Sequence, residues 1–121
     1  MKLTNWQKGR WAEFYARMLF RCKGYHIIAH NYKTGIGTHA GEIDFIATKG
    51  KTIVFVEVKK RSSFDNAAEA ILPQQQQRIV RGAEAFLQKH QKYKNYNARF
   101  DAVFVVFPLR ILHLKNAWII S

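Results

Sequence analysis

The sequence predicts an α/β protein in which a single mixed β-sheet is flanked by helices, with all of 1–121 forming one domain. Helical and strand periodicities follow the order helix, three strands, helix, two strands, which fits such a sandwich. A length of 121 residues suffices for one core, and a 48% hydrophobic fraction excludes a disordered chain. No predicted strand leads into a glycine-rich phosphate-binding loop, which disfavours a fold that binds a nucleotide cofactor.

The first two elements rest on capping and on apolar spacing. Thr4 followed by Gln7 has the form of a capping box, which predicts the start of a helix over about 5–23. The apolar stripe of this helix is expected to include Trp11, Ala12, Tyr15, Met18, Leu19 and Cys22. The β-rich run 25–32 then predicts the first strand.

A glycine-containing loop and a hairpin follow the first strand. Gly35, Gly37 and Gly41 indicate a mobile loop that could close over a ligand. The two short, β-branched runs 42–48 and 52–59 are separated by a three-residue turn with a central glycine, so we expect a β-hairpin.

The second half of the chain predicts one helix and two strands. Pro73 suits the first position of a helix, whose apolar stripe ends near His90. The runs 100–107 and 111–120 are apolar and β-rich, and Pro108 separates them into two strands.

The charge of the chain points to a polyanionic partner. Twenty Lys and Arg residues against eight Asp and Glu residues give a net charge of +12, which concentrates nucleic acid around the protein. The positive charge runs from Lys2 to Lys115 instead of lying on one amphipathic helix, which favours nucleic acid over an anionic membrane. A generically basic surface that serves solubility or proximity to the ribosome is the remaining alternative.

Several observations predict a cytoplasmic protein without a membrane partner. Cys22 is the only cysteine, so no internal disulfide can form. The first residues contain no apolar stretch typical of a signal peptide. No apolar run approaches the ~20 residues that a membrane-spanning helix needs.

The hairpin places two carboxylates opposite each other. If Thr48 pairs with Ile53, Asp44 lies opposite Glu57, with Cβ atoms about 5 Å apart. Like charges at that distance destabilise a sheet unless a cation lies between them, and carboxylate oxygens are preferred ligands of Mg²⁺. The hairpin therefore predicts a site for a divalent cation.

Lys59 shares a face with Glu57, because side chains alternate along a strand. From there it could orient water or neutralise charge on a phosphoryl group. The alternative is an exposed sheet edge protected by a Glu57 and Lys59 ion pair. Three of the eight acids, Glu42, Asp44 and Glu57, lie in this one apolar hairpin, which favours a functional site.

The order of these residues resembles a nuclease family. A Gly-Glu-Ile-Asp run ending at Asp44, the Glu-Val-Lys run 57–59 and an upstream helix with Glu13 are similar to the PD-(D/E)XK nuclease superfamily. The nearest likeness is to the bacterial YraN-like predicted endonucleases, relatives of archaeal Holliday junction resolvases. It extends over nearly the whole chain, including 31–32 and 99–101, and implies a restriction-endonuclease-like core.

The resemblance implies a role for each matching position. Asp44 and Glu57 would be metal ligands, and the Val58 carbonyl a further ligand. Lys59 would be a catalytic base or an electrostatic aid. Glu13 would add a ligand or hold a metal-bound water, although the residues alone favour an ordinary solvated helix acid. The implied activity is hydrolysis of DNA phosphodiester bonds with Mg²⁺ or Mn²⁺, including branched DNA in repair or recombination.

Two positions depart from the family pattern. Ala12 precedes Glu13 where relatives often have Gly, and the second helix opens with four glutamines, 74–77, where we expect one Lys. Gln75 is a candidate neighbour of the metal site. The alternative, which the sequence favours, is a surface glutamine run.

Basic residues near the hairpin are candidate nucleic-acid contacts. Lys60 and Arg61 follow the predicted catalytic strand, where they could bind phosphates beside the cleaved bond. Lys33, Lys49 and Lys51 could extend this track. Taken singly, each is more simply a solvated surface residue.

Other polar residues receive structural interpretations. Arg99 and Asp101 alternate on a strand and are interpreted as an internal ion pair or as a support for the site. His26 and His30 lack a nearby third ligand, which disfavours zinc. His39, in the glycine-containing loop, is a candidate substrate contact.

Three functions therefore compete. The first is a metal-dependent endonuclease, the second is a non-catalytic nucleic-acid-binding accessory protein, and the third is a basic structural protein. Opposed carboxylates would repel a polyanion, so a mere binding protein gains nothing from Asp44 and Glu57. Symmetric cutting of two strands would call for a two-fold dimer, and a homodimer is a hypothesis on that ground.

Overall fold

The structure, a computed structural model, describes residues 4–33, 42–61, 63–65, 71–106 and 110–118, without the side chains of residues 5 and 6. In these ranges the chain is α/β, with one five-stranded mixed sheet and two α-helices. The predicted fold class is confirmed, and the architecture is consistent with a restriction-endonuclease-like core. The glycine-containing loop with His39, and Pro108, lie outside the described residues.

The elements follow the predicted order. They are helix α1 (Asn5–Cys22), strands β1 (His26–Tyr32), β2 (Ile43–Lys49) and β3 (Thr52–Arg61), helix α2 (Pro73–Lys89), a 3₁₀ turn (Gln91–Tyr93), and strands β4 (Asn97–Val106) and β5 (Arg110–Trp118). Neither of the two described α-helices is long and apolar enough to cross a membrane.

Both helices begin as their sequences predict. The Thr4 hydroxyl accepts a hydrogen bond from the Gln7 amide, and the Gln7 side chain accepts one from the Thr4 amide, so the capping box is formed. Pro73 lies at the start of α2, where its missing N–H costs no hydrogen bond.

The sheet has the strand order β1-β2-β3-β4-β5. Strands β3 and β4 pair in parallel and the other neighbours pair antiparallel. A parallel pair needs a crossover connection, and α2 lies in that connection. Strand β3 is therefore central, with hydrogen-bonded partners on both sides.

The two helices cover opposite faces of the sheet. Ile79, Ala83 and Phe86 of α2 pack in one core with Ile46 and Phe55. A second core lies on the other face, where α1 contributes Ala12, Ala16 and Phe20 against Phe45, Val54 and Val56 of the central strands. In the paired segments 45–47 and 53–56, every second residue therefore faces the same helix.

The predicted apolar stripe of α1 is partly wrong. Trp11, Met18 and Cys22 are exposed, whereas the buried positions are Ala12 and the residues one and two turns later, Ala16 and Phe20. Small side chains at the first two positions let the helix lie close to the sheet. The larger aromatic residues consequently lie beside the contact, at its solvent edge.

The hairpin has the predicted register. Thr48 lies opposite Ile53 and Phe45 opposite Val56, with a turn at Gly50, which has a positive φ of 59°. One further step of the same register places Asp44 opposite Glu57. The hairpin thus brings together the two carboxylates that the sequence singled out.

Candidate metal centre

Asp44 and Glu57 share a cavity between the sheet and α2. The cavity has a volume of about 240 Å³ and is lined by Glu42, Asp44, Glu57, Gln75, Arg78 and Ile79. The sequence favoured a surface glutamine run over a neighbour of the metal site for Gln75, but the structure brings Gln75 to the same cavity as the two carboxylates. The first turns of α2 therefore form one wall of the candidate site.

A backbone hydrogen bond holds the Asp44 carboxylate against β3. The Val58 amide donates to Asp44 Oδ2 over 2.7 Å. At this distance the hydrogen bond from the amide to the carboxylate is short and charge-assisted. The Asp44 side chain is thereby fixed beside Glu57, and the Val58 peptide belongs to the same small assembly.

Glu57 is buried next to this second negative charge. Only 7% of its surface is exposed. Burial, followed by the charge of Asp44 and a hydrogen bond with it, raises the pKa of Glu57 to about 9. In the absence of a cation, the two carboxyl groups therefore hold a proton at neutral pH. A bound cation would replace that proton and allow both to ionise.

Lys59 lies on the same face as Glu57, as the alternation predicts. Its Nζ is 3.8 Å from Glu57 Oε1, which is an ion-pair distance but too long for a hydrogen bond. The competing interpretation of these residues as an exposed edge is wrong, because β3 is the central strand. The ammonium group is thus close to the paired acids without neutralising them fully.

Glu13 lies near this centre but lines a different cavity. The second cavity, of about 390 Å³, lies between α1 and β1. Burial raises the pKa of Glu13, and the negative charges of Asp44 and Glu42 raise it further, while Arg17 lowers it. Glu13 is half-buried and within electrostatic reach of Asp44, so it is not an ordinary solvated helix acid.

The donor set fits a hard divalent cation. Within the described ranges, no three His, Cys, Asp or Glu side chains form a group that could hold a metal ion. The site therefore offers the carboxylates of Asp44 and Glu57, with the Val58 carbonyl as the predicted further ligand. Mg²⁺ is commonly held by one or two carboxylates, with water and phosphate completing its shell. A zinc site would need more protein ligands, and His26 and His30 do not supply them.

Two residues of the cavity wall were not expected there. Arg78 was not predicted as a site residue, and Glu42 was not assigned a role in the site. Arg78 follows Gln75 by three positions, and residues at that spacing share a face of a helix. This spacing could have indicated that Arg78 accompanies Gln75. It points to the metal site only once α2 is known to cover Asp44 and Glu57. Glu42 precedes β2 and adds a third acid to the wall of the cavity.

The predicted basic track is only partly assembled. Lys60 and Arg61 continue β3 beyond Glu57, and Arg61 Nη1 donates to the Lys60 carbonyl over 2.8 Å. Lys33 directly follows Tyr32, which pairs with Ile43, so it lies at the same end of the sheet. These three residues remain candidates for phosphate contacts.

Lys49 and Lys51 do not join this track, and their prediction is corrected. They lie at the turn end of the hairpin, about 17 Å along the strand from Asp44. The ammonium group of Lys49 donates to the Lys23 carbonyl over 2.7 Å, and that of Lys51 lies 5.1 Å from the Tyr96 ring centre. Each residue of an extended strand adds about 3.3 Å, so residues only a few positions from Asp44 in sequence lie far from the site.

Arg99 and Asp101 form the predicted ion pair in the core beneath α1. Arg99 donates to both Asp101 oxygens over 2.8 Å, and His113 Nε2 lies 2.7 Å from Oδ2. Burial alone would raise the pKa of Asp101, but these bonds and one from the Asn116 amide lower it. Arg99 also donates to the Tyr25 hydroxyl. The pair therefore links β4 to Tyr25, in the connection between α1 and β1, and it does not line the cavity of Asp44 and Glu57.

Sequence comparisons place the chain among bacterial proteins of one family. The model of the family described as "Uncharacterised protein family UPF0102" matches residues 12–105, which include all the residues proposed above for the metal centre. A UPF0102 protein of Paramagnetospirillum magneticum is 43% identical over 93% of this chain and 87% of its own length. A UPF0102 protein of Parvibaculum lavamentivorans is 40% identical over 96% of this chain and 84% of its own length. A UPF0102 protein of Rhodopseudomonas palustris is 43% identical over 97% of this chain and 86% of its own length.

Proposed function

The chain belongs to the UPF0102 family, and we propose that it is a metal-dependent endonuclease that hydrolyses phosphodiester bonds of DNA. One observation carries the proposal: Asp44 and Glu57 meet in a cavity on the central strands, with Lys59 beside them. The YraN-like group of the PD-(D/E)XK nucleases has this residue order, and we propose that group for the chain.

The charge of the site supports a cation as its partner. Without a cation, the buried pair of acids keeps one proton and one negative charge at neutral pH, and that charge repels a polyanion. On a protein of charge +12, such a pair costs stability and weakens nucleic-acid binding unless it is neutralised. A divalent cation removes both costs, and it links the acids to a phosphate group.

Each residue of the cavity then has a chemical task. Asp44, Glu57 and the Val58 carbonyl would hold Mg²⁺ or Mn²⁺, which when bound polarises a phosphoryl oxygen and lowers the pKa of water. Lys59 stabilises negative charge that grows on the phosphoryl oxygens or orients the attacking water.

The rim of the cavity contributes substrate contacts in this proposal. Arg78 and Gln75 donate hydrogen bonds to the phosphate from α2, and Glu13 holds water beside Asp44. Lys60 and Arg61 bind neighbouring phosphates, and such contacts position the strand without reading its bases.

The test is cleavage of labelled junction, flap, single-stranded and duplex DNA in Mg²⁺, Mn²⁺ or EDTA. We expect metal-dependent cutting that is lost in Asp44→Asn and in Lys59→Ala. Glu84→Gln removes an exposed acid of α2, and Lys94→Ala removes an exposed lysine, so these matched controls should cut as the wild type does. Cutting that persists in EDTA, or in both site variants, would disprove the proposal.

A non-catalytic accessory protein is the second candidate. The net charge of +12 supports it, because that charge by itself is sufficient to attract nucleic acid. Salt-sensitive DNA binding without cutting, unchanged by Asp44→Asn, would establish it. We further propose a cytoplasmic location, because Cys22 is an exposed free thiol, as is usual in a reducing compartment.

A further inference from the structure

The larger of the two cavities described above is a groove from which the proposed metal chemistry uses only Glu13. It lies between α1 and β1, which is an edge strand of the sheet, and has a volume of about 390 Å³. Its walls include two aromatic rings, two arginines and two polar residues of β1, namely Trp11, Phe14, Arg10, Arg17, His30 and Asn31. We refer to it as the α1–β1 groove.

Aromatic rings in this groove are unusually exposed. Trp11 and Phe14 each expose 42% of their surface, and their ring centres are 5.8 Å apart at an interplanar angle of 89°. Trp11 also contacts Tyr15, with ring centres 5.5 Å apart, which supports the indole from one side. Large rings that face water in a cavity provide flat surfaces on which a nucleobase can stack.

Positive charge accompanies the rings. Arg10 and Arg17 lie two helical turns apart on α1, on either side of Trp11 and Phe14. Both exert their charge on Glu13, which lies between them. A guanidinium group can bind a phosphate through two parallel hydrogen bonds, so the groove offers contacts for both parts of a nucleotide.

The groove lies one strand away from the candidate metal centre. His30 pairs with Phe45 and Tyr32 with Ile43, so Asn31, between them, lies opposite Asp44 on the neighbouring strand. Adjacent strands are about 4.8 Å apart. Glu13 lines the groove and is electrostatically coupled to Asp44. The groove is therefore one strand away from Asp44 and within electrostatic reach of the candidate metal centre, although α1 and α2 cover opposite faces of the sheet.

We propose that the α1–β1 groove binds an unpaired nucleotide next to the phosphodiester bond that is cut. A base inside a duplex is already stacked on its neighbours, so only an unpaired base can place its ring on Trp11. The substrate is accordingly a nucleic acid with a single-stranded segment at the cut, such as a flap or a branch, and not a continuous duplex. This inference rests on the proposed nuclease function.

The test measures binding in EDTA, where no cleavage is needed. The probes are a short fluorescent oligothymidylate and a blunt duplex of the same length, and affinity is read by fluorescence anisotropy. We expect Trp11→Ala and Phe14→Ala to weaken binding of the single strand about tenfold or more, because each removes a stacking ring. Duplex binding, which relies on phosphate contacts elsewhere, should be unchanged.

Met18→Ala is the matched control. Met18 lies on the same helix with a similar exposure of 40%, but it does not line the groove. We expect its affinity for both probes to equal that of the wild type. As a second readout, the single strand should quench tryptophan fluorescence in the wild type and in Met18→Ala, and quench it less in Trp11→Ala.

Two results would overturn the inference. One is an equal affinity of Trp11→Ala and wild type for the single strand. The other is a wild-type dimer that Trp11→Ala converts to a monomer with unchanged single-strand affinity, because the groove would then be an interface between two copies. Failure of the nuclease proposal is recognised separately, by cutting that persists in EDTA or in both Asp44→Asn and Lys59→Ala, and it leaves the EDTA binding result unaffected.

Discussion

Replacing Glu57 with Gln should change how the stability of the metal-free protein depends on pH. The pKa of Glu57 is about 9 in the folded protein, against 4.5 for an unperturbed glutamate. The folded state therefore binds a proton that the unfolded state releases between these two values. The resulting contribution to stability is fully present below pH 4.5 and is lost as the pH rises through 9. Glu57→Gln has no such proton and should lose no stability on this account.

The size of the effect follows from the pKa difference. A full proton difference changes the free energy of unfolding by about 1.4 kcal/mol per pH unit. Between about pH 6 and pH 8 the wild type should therefore lose roughly 2 to 3 kcal/mol relative to Glu57→Gln. Because Asp44 shares the proton, this change belongs to the pair of acids and not to one carboxyl group alone.

The assay is urea denaturation in EDTA at these two pH values, with Glu84→Gln as a control that removes an exposed acid. Adding Mg²⁺ at the higher pH should restore stability to the wild type but much less to Glu57→Gln, since a ligand stabilises only the state that binds it. If the difference between wild type and Glu57→Gln is the same at both pH values, the reasoning about the paired acids is refuted.

Three further predictions concern stability and binding. Asp101→Asn should lower the free energy of unfolding by about 3 to 5 kcal/mol in urea denaturation, because it leaves Arg99 without its buried partner; a loss below about 1 kcal/mol would contradict this. Thr4→Ala should cost about 1 kcal/mol in the same assay through loss of the capping box, and an unchanged midpoint would count against it. Arg61→Ala should reduce the slope of log affinity for DNA against log salt concentration by about 1, the value for one lost phosphate contact, whereas Lys51→Ala should leave the slope unchanged. Equal slopes for these two variants would reject the assignment.

Local patterns predicted the candidate site better than its surroundings. Strand alternation and a short glycine turn determine the hairpin register, so the pairing of Asp44 with Glu57 follows from the sequence alone. The position of Arg78 depends on where α2 packs, and no local pattern specifies that packing. The same limit explains the error at Lys49 and Lys51, which are near Glu57 in sequence but lie at the other end of an extended strand.

The exposure of Trp11 illustrates a different limit. Periodicity identifies which residues are apolar, but Ala12 and Ala16 form the actual contact with the sheet. Small residues permit the closest approach of a helix, so the large ring one position away is left facing solvent. Hydrophobic pattern alone assigned Trp11 to the core.

The locality of the hairpin also bears on the kinetics of folding. Strands β2 and β3 are joined by a tight turn, whereas β3 meets β4 only after the chain has passed through α2. Contacts close in sequence form with the smallest loss of chain entropy, so the hairpin is expected in the folding nucleus. The repulsion between Asp44 and Glu57 would then already be present in the transition state. Raising the pH without a cation should therefore slow refolding more than it speeds unfolding, and Mg²⁺ should accelerate refolding in stopped-flow measurements.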